Sequence, residues 1–311
     1  MTDRPLLVVN PTSAGGQTGR NFAAMRRTIE ARLGEVDVEL TRSGGHASDL
    51  AERAAGEGRP YVVAVGGDGT FSEVANGVLR SKHACPIGII GAGTGGDFRK
   101  TLGTEHRLDK YLDVIASGSE RKIDVGKATF PGRDGRERTH YFVNILSAGM
   151  GGLVDQYVAT GSRMLGGTFA YFAASTRALL RIKPGHLRCE VTYQGGTETK
   201  RIDSYMFAIC NGRYFGSGMH VAPMAMIDDG QFEVVSLHAP NKVAFATTSQ
   251  KIYDGKHLDA KGTVHFPCQK IHIDLENEEA RSTFLLDVDG EPLGGLPLTV
   301  EIMPGALTIR G

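Results

Sequence analysis

The chain has 311 residues, 41% hydrophobic and 23% charged, the balance of a soluble globular protein with one large or two ordinary domains. Its 35 basic and 35 acidic residues cancel, which argues against a nucleic-acid binder working through bulk charge. Four scattered cysteines without a C-x-x-C pair exclude a zinc ribbon or a redox motif and read as reduced core thiols.

In chain order, the first third alternates strand and helix. Leu6–Val9 reads as a strand, and Arg20–Leu33 as a helix with Phe22, Met25, Ile29 and Leu33 on one face. Val36–Leu40 is a strand, His46–Ala55 a helix, Tyr61–Val65 a strand and Ser72–Leu79 a helix. Ile87–Ile90 is a strand and Leu108–Ala116 a helix. This repetition predicts a parallel, Rossmann-like α/β domain that binds ligands at the carboxyl ends of its strands.

From about residue 121 strands dominate: Arg121–Lys127, Tyr141–Ser147, His186–Tyr193, Arg201–Asn211, Gln231–His238, Gln269–Leu275 and Thr283–Val288. They predict a β-sandwich domain, interrupted by a helical insertion at about Leu153–Ile182. The expected division is residues 1–124 for the α/β domain and 125–301 for the β-rich domain. The last strands, Leu298–Met303 and Ala306–Arg310, are expected to return to the first. The start, Met1-Thr2-Asp3-Arg4-Pro5, shows no signal peptide, and no apolar run reaches membrane-spanning length. A cytoplasmic location is expected.

The most informative stretch is Gly66-Gly67-Asp68-Gly69-Thr70, between a strand end and a helix start. Unpaired N–H groups and the helix dipole favour an anion there, and glycine lets the backbone approach a phosphate. Asp68 should repel phosphate, unless a divalent cation lies between them. A second strand-to-helix turn, Asn10-Pro11-Thr12-Ser13-Ala14, offers hydroxyls and backbone donors. It is not a Walker A loop, and alone it is an ordinary βα loop. A third turn, Gly93-Thr94-Gly95-Gly96-Asp97-Phe98, again carries an aspartate. Parallel strands would bring Asp68 and Asp97 to one edge, as the outer shell of a magnesium site. Later in the chain, Asp289-Gly290-Glu291 fits either a plain hairpin turn or a pair of acids facing metal and acceptor. Asp124 is an acid in an apolar strand, where an unpaired charge is costly.

These three turns resemble the catalytic domain of the diacylglycerol kinase/sphingosine kinase family, bacterial lipid-kinase branch. Thr41 with Gly45-His46-Ala47, Pro223–Gly230 and Val288–Glu291 extend the resemblance over nearly the whole chain. It implies ATP contacts from Asn10, Pro11, Thr12, Ser13, Ala14, Thr41, Gly66, Gly67, Asp68, Gly69, Thr70, Phe71, Ser72 and Thr94. It implies Glu291 as general base, and Asp68, Asp97, Asp124, Asp228 and Asp289 as an acidic network linked by water to a catalytic Mg2+. A second, structural Mg2+ would be held by the carbonyls of Met226 and Gln231 and the carboxylate of Asp229. One departure is Gly96, where the family usually has Asn.

The implied activity is ATP-dependent phosphorylation of a lipid hydroxyl between the two domains, most simply diacylglycerol to phosphatidic acid. NAD kinase is a rival, although Asn-Glu occurs only at Asn277-Glu278, in a charged turn. A non-catalytic lipid- or nucleotide-binding relative is another. The insertion sets Leu165, Phe169, Tyr171, Phe172, Leu179 and Leu180 beside Arg163, Arg177, Arg181 and Lys183. That pattern suits peripheral contact with the inner membrane surface, or packing against its own protein or a homodimer partner.

Overall fold

The computed structural model describes residues 3–92, 96–132, 135–160 and 167–310, with the backbone alone for 159–160 and 167–172. Its elements begin with β1 (Leu6–Val9), α1 (Gln17–Leu33), β2 (Asp37–Leu40), α2 (His46–Gly56), β3 (Val62–Gly66), α3 (Asp68–Ser81) and β4 (Ile87–Gly91). There follow α4 (Asp97–Leu102), α5 (Leu108–Ala116), β5 (Glu120–Pro131), β6 (Glu137–Phe142), β7 (Ile145–Gly149), α6 (Met150–Thr160) and α7 (Gly167–Arg181). Then come β8 (Gly185–Tyr193), β9 (Gly196–Ser204), β10 (Met206–Cys210), β11 (Tyr214–Phe215), β12 (Met219–His220), β13 (Phe232–Leu237) and α8 (Lys242–Gln250). The chain ends with β14 (Thr263–Cys268), β15 (Lys270–Leu275), β16 (Leu285–Val288), β17 (Glu291–Gly295) and β18 (Leu298–Arg310). Two compact units result: Met1–Val125 with Tyr141–Val143 and Met303–Gly311, and Gly126–His140 with Asn144–Ile302.

In the first unit the strands run parallel in the order β2-β1-β3-β4, and Ile309 of β18 pairs with Ile87 of β4. Every residue of β1 and β3 is buried, so both faces need a helical cover. Leu7, Val9, Val63 and Val65 pack with Ile29 of α1 and with Tyr111, Leu112 and Ile115 of α5. Phe22, Met25 and Leu33 join them from the helix face expected from the sequence. On the opposite face α2 and α3 lie close together. A Cβ on Gly77 would fall 2.1 Å from the Ser48 carbonyl oxygen.

The second unit is antiparallel. One layer orders β9-β8-β15 with Leu298–Glu301 of β18, and the other orders β14-β13-β10-β7-β16-β17. The buried Ser236 hydroxyl meets that of Ser204 at 2.9 Å, and Lys200 lies 5.1 Å above the Phe266 ring, joining the layers. The fold class is therefore the α/β domain plus β-sandwich expected from the sequence.

Several boundaries differ from expectation. The helix after the Gly-Gly-Asp-Gly-Thr stretch starts at Asp68, four residues before Ser72, because Gly67 is already its cap. The strand expected over Tyr141–Ser147 is two strands. Asn144 leaves the ladder, and its carbonyl takes the N–H groups of Asn211 and Gly212 instead. The strand expected over Arg201–Asn211 also splits, at Tyr205, whose carbonyl takes the Met150 N–H. The last two strands are one, running through Pro304-Gly305. Helix α8 had no strong apolar periodicity and was not expected.

Two tests follow from this packing. Gly77→Ala should lower stability by about 1–3 kcal/mol in urea titration, because a backbone carbonyl cannot step aside. All four cysteines are free and buried. Burial pushes the Cys85 thiol up to about 11, and those of Cys189 and Cys268 to about 12. A thiol reagent at neutral pH should therefore titrate the four only after guanidinium is added.

Candidate active site

The carboxyl ends of β1 to β4 gather the first set of candidate residues. Asn10 leaves β1 with its N–H on the Val65 carbonyl of β3, 2.9 Å away. Its side chain donates to Thr70 Oγ1 at 3.1 Å and accepts from the Thr12 N–H and hydroxyl at 3.1 and 2.8 Å. The Ser13 hydroxyl returns to the Asn10 carbonyl at 2.8 Å. After Pro11 and Thr12, Ala14 takes φ +52°, an uncommon conformation for a residue with a Cβ and one often met at binding sites. Thr41, at the end of β2, bonds through its N–H to the Val9 carbonyl at 2.8 Å. Gly66 must be glycine, since a Cβ there would lie 2.4 Å from Thr70 Oγ1.

Gly67 caps α3, and Asp68 and Gly69 form its first turn. The N–H groups of that turn have no carbonyl partners within the helix and face the strand edge. Thr70, Phe71 and Ser72 turn inward, at 5%, 1% and 1% exposure. Phe71 stacks on Phe98 with ring centroids 5.0 Å apart, and its N–H bonds the Gly67 carbonyl. Phe71 and Ser72 thus turn their side chains behind the turn rather than into it. Thr94 lies outside the described residues.

Asp68 has an occupation that the sequence did not disclose. Its carboxylate accepts the N–H groups of Gly96 and Asp97 at 3.0 Å each and of Phe98 at 3.4 Å. These are the starting N–H groups of α4, so a helix dipole as well as hydrogen bonds holds the charge. The carboxylate therefore sits among backbone donors. Gly96 has φ +78°, a left-handed conformation that glycine takes freely and asparagine tolerates better than most residues. Asp97, 5% exposed, pairs with Lys100 at 2.8 Å. Asp124, 2% exposed, accepts the Gly305 N–H at 2.8 Å, which meets the cost of burying it.

The other candidates belong to the second unit. Asp289 and Gly290 are the two-residue turn between β16 and β17, with φ +50° and +90°. The Asp-Gly pair is thus a hairpin turn, but Asp289 does more than turn. Its Oδ1 accepts the N–H groups of Asn144 and Ile145 at 3.2 and 2.9 Å, while its own N–H bonds the Ile145 carbonyl. Glu291 opens β17 opposite Val288 and is half-buried. Met226, Asp228 and Asp229 are exposed on the turn before β13, and Asp229 Oδ1 accepts the Gln231 N–H at 3.1 Å.

Among the described residues no group of three His, Cys, Asp or Glu side chains stands ready to hold a metal ion. Next to the turn at Met226–Gln231, burial and then the Asp229 charge push the Glu233 carboxyl up. Two acids absent from the sequence reading are Asp155 of α6 and Asp287 of β16, whose carboxyls are hydrogen-bonded to each other. An acid in the apolar run Leu285–Val288 was the available signal.

The role of Asp68 can be separated from metal binding. Asp68→Ala should cost about 1–3 kcal/mol of stability in metal-free urea titration, because it strips the α4 N–H groups of their acceptor. Asp68→Asn, which keeps an acceptor oxygen, should cost less. An unchanged midpoint for Asp68→Ala would assign the carboxylate to ligands alone.

A profile of the diacylglycerol kinase catalytic domain matches residues 4–128, and one of the YegS C-terminal NAD kinase beta sandwich-like domain matches 144–311. A diacylglycerol kinase of Staphylococcus aureus (strain bovine RF122 / ET3-1) is 27% identical over 96% of this chain and 89% of its own. One of Bacillus subtilis (strain 168) is 25% identical over 94% and 91%. The crystal structure of a diacylglycerol kinase from Bacillus anthracis str. Sterne superposes with a TM-score of 0.71 at 23% identity, covering 99% of this chain and 96% of that one. Yeast NADH kinase complexed with NADH reaches a TM-score of 0.50 at 11% identity, over 98% and 82%. These two structures bear on the fold alone. The chain belongs to the diacylglycerol kinase catalytic-domain family, with its YegS-type C-terminal domain, and is a phosphotransferase of the lipid-kinase class.

Proposed function

We propose that the protein is an ATP- and magnesium-dependent lipid kinase that transfers the γ-phosphoryl group to a lipid hydroxyl, with diacylglycerol as the leading acceptor. The observation that carries this reading is the meeting of Asn10, Thr41, Gly66–Thr70 and Gly96–Asp97 at one edge of a parallel sheet. Close-lying backbone and the start of α3 suit that edge to a phosphate.

In this reading the N–H groups at the start of α3 would bind the triphosphate. Asn10, Pro11, Thr12, Ser13, Ala14 and Thr41 would border the rest of the nucleotide. Bound Mg2+ would neutralise triphosphate charge. Asp97, Asp124, Asp228 and Asp289 would orient its water shell, and Asp68 would fix the α4 turn beside it. Met226, Asp229 and Gln231 would hold the structural ion. Glu291 would take the proton of the acceptor hydroxyl as that oxygen bonds the γ-phosphorus and ADP leaves. The acceptor implies a membrane nearby. Leu180 and Val243, 73% and 77% exposed, lie near Arg181 and Lys242, a combination that suits the surface of an anionic bilayer. No helix among the described residues is long and apolar enough to cross a membrane.

The NAD kinase reading is weakened at Asn277-Glu278. Asn277 is spent on the Pro184 carbonyl and the His186 N–H, and Glu278 on Arg281.

Transfer of radiolabelled phosphate from ATP to a panel of lipid alcohols, with NAD+ as a control acceptor, tests the proposal. Diacylglycerol should label and NAD+ should not. Glu291→Gln should reduce labelling by about 100-fold or more while ATP binding by calorimetry is unchanged. Full transfer by that variant would remove the assigned base.

A further inference from the structure

Helix α6 lies unusually close to the hairpin of β16 and β17. A Cβ on Gly152 would fall 2.2 Å from the Leu285 carbonyl oxygen, and one on Gly151 would fall 2.3 Å from Ser147 Oγ. Ser147 is the cross-strand partner of Asp287, so both side chains share one face of the sheet. Asp155 stands four residues after Gly151, on the same side of α6. The two glycines therefore let the helix settle until the half-buried Asp155 reaches the buried Asp287.

Asp287 sits where the hairpin register slips, since Leu286 pairs with Gly294 but Asp287 with Pro292. Such bulges re-aim side chains beside functional turns. The Asp287 carboxyl also lies beside the N–H of Gly290, the residue between Asp289 and Glu291, which favours its charged form. One carboxyl thus joins the tip of the hairpin to α6.

We propose that Asp155 is a positioning residue: packed through α6 against Asp287, it fixes the carboxyl at the register slip beside Gly290, and so sets the turn that presents Asp289 and Glu291. The inference rests on the roles proposed above for those two acids, and it adds a residue on another element to their support.

The chemistry of the pair agrees. Two ionised carboxylates can only accept, and Asp287 Oδ1 is buried with no hydrogen-bond donor facing it. A bond between the two carboxyls therefore needs one proton. Burial, and then the charge of Asp155, pushes Asp287 well up, so Asp287 keeps that proton and donates to Asp155. An asparagine at 155 could restore the link in the opposite sense, donating its amide to an ionised Asp287.

The experiment compares Asp155→Ala and Asp155→Asn with the parent chain. Phosphoryl transfer is measured to the best acceptor of the lipid panel, and amide exchange is followed in a peptide spanning Val288–Glu291. Asp155→Ala should lower kcat by about 10- to 100-fold, the scale of a misplaced catalytic group, with the KM for ATP within about twofold. Its Val288–Glu291 peptide should exchange about tenfold faster or more, while β1 and β3 peptides keep their protection. Asp155→Asn should restore both kcat and protection to within about threefold of the parent. Unchanged kcat and exchange in Asp155→Ala would overturn the proposal, as would Asp155→Asn behaving like Asp155→Ala. Should no acceptor be phosphorylated, the proposed function fails, and the exchange comparison still decides whether Asp155 holds the turn.

Discussion

The geometry of the strand edge proposed to bind phosphate depends on one carboxylate. Asp68 belongs to the first turn of α3, yet its oxygens take the N–H groups of Gly96, Asp97 and Phe98 at the start of α4. That acceptor adds to the pairing of β3 with β4 and to the bond from the Ala92 N–H to the Gly66 carbonyl in tying the two helix starts together. With it, the second glycine-rich turn is bonded to Gly96, Asp97 and Phe98. Asn10 adds the first turn through Thr70. Stacking of Phe71 on Phe98 closes the same joint from the core side. Residues from three loops, each weak as a motif, are thus joined along one rim.

The second unit solves a related problem with a hairpin. Asp289 is held in a left-handed conformation that L-residues seldom adopt, and two backbone donors from Asn144 and Ile145 compensate. That explains why β6 and β7 are separate strands: the chain must leave the ladder at Asn144 to offer those donors. Glu291 follows directly, at the first position of β17. A carboxylate placed by a tight turn has little freedom to wander, which suits the role of general base proposed for Glu291.

The parallel α/β half was legible because its signals are local. Apolar runs four or five residues long, each followed by glycines, place strands and turns within a residue or two. The β-rich half was legible in class but less so in its joints. Asn144 lies within the apolar run Tyr141–Leu146 and Tyr205 opens the run Tyr205–Cys210, and only the competing hydrogen-bond partners of a folded sandwich show why strands end there. At the site, the identity and order of the acids could be read, but their partners could not. Asp68 looked misplaced beside a phosphate because the α4 N–H groups that hold it are 28 to 30 residues away. Asp155 and Asp287 are 132 residues apart in sequence, and no spacing rule links them. Gly96 looked like a loss relative to the family, whereas its φ of +78° suits glycine well.

The account's central claim is that the joined rim of β1, β3 and β4 holds the nucleotide. A crystal structure with a non-hydrolysable ATP analogue and Mg2+ tests it most directly. The claim predicts phosphate density against the N–H groups of Gly67–Gly69, with Asp68 still bonded to the start of α4. Nucleotide bound elsewhere, or phosphates reached only after Asp68 has let go of Gly96 and Asp97, would contradict it.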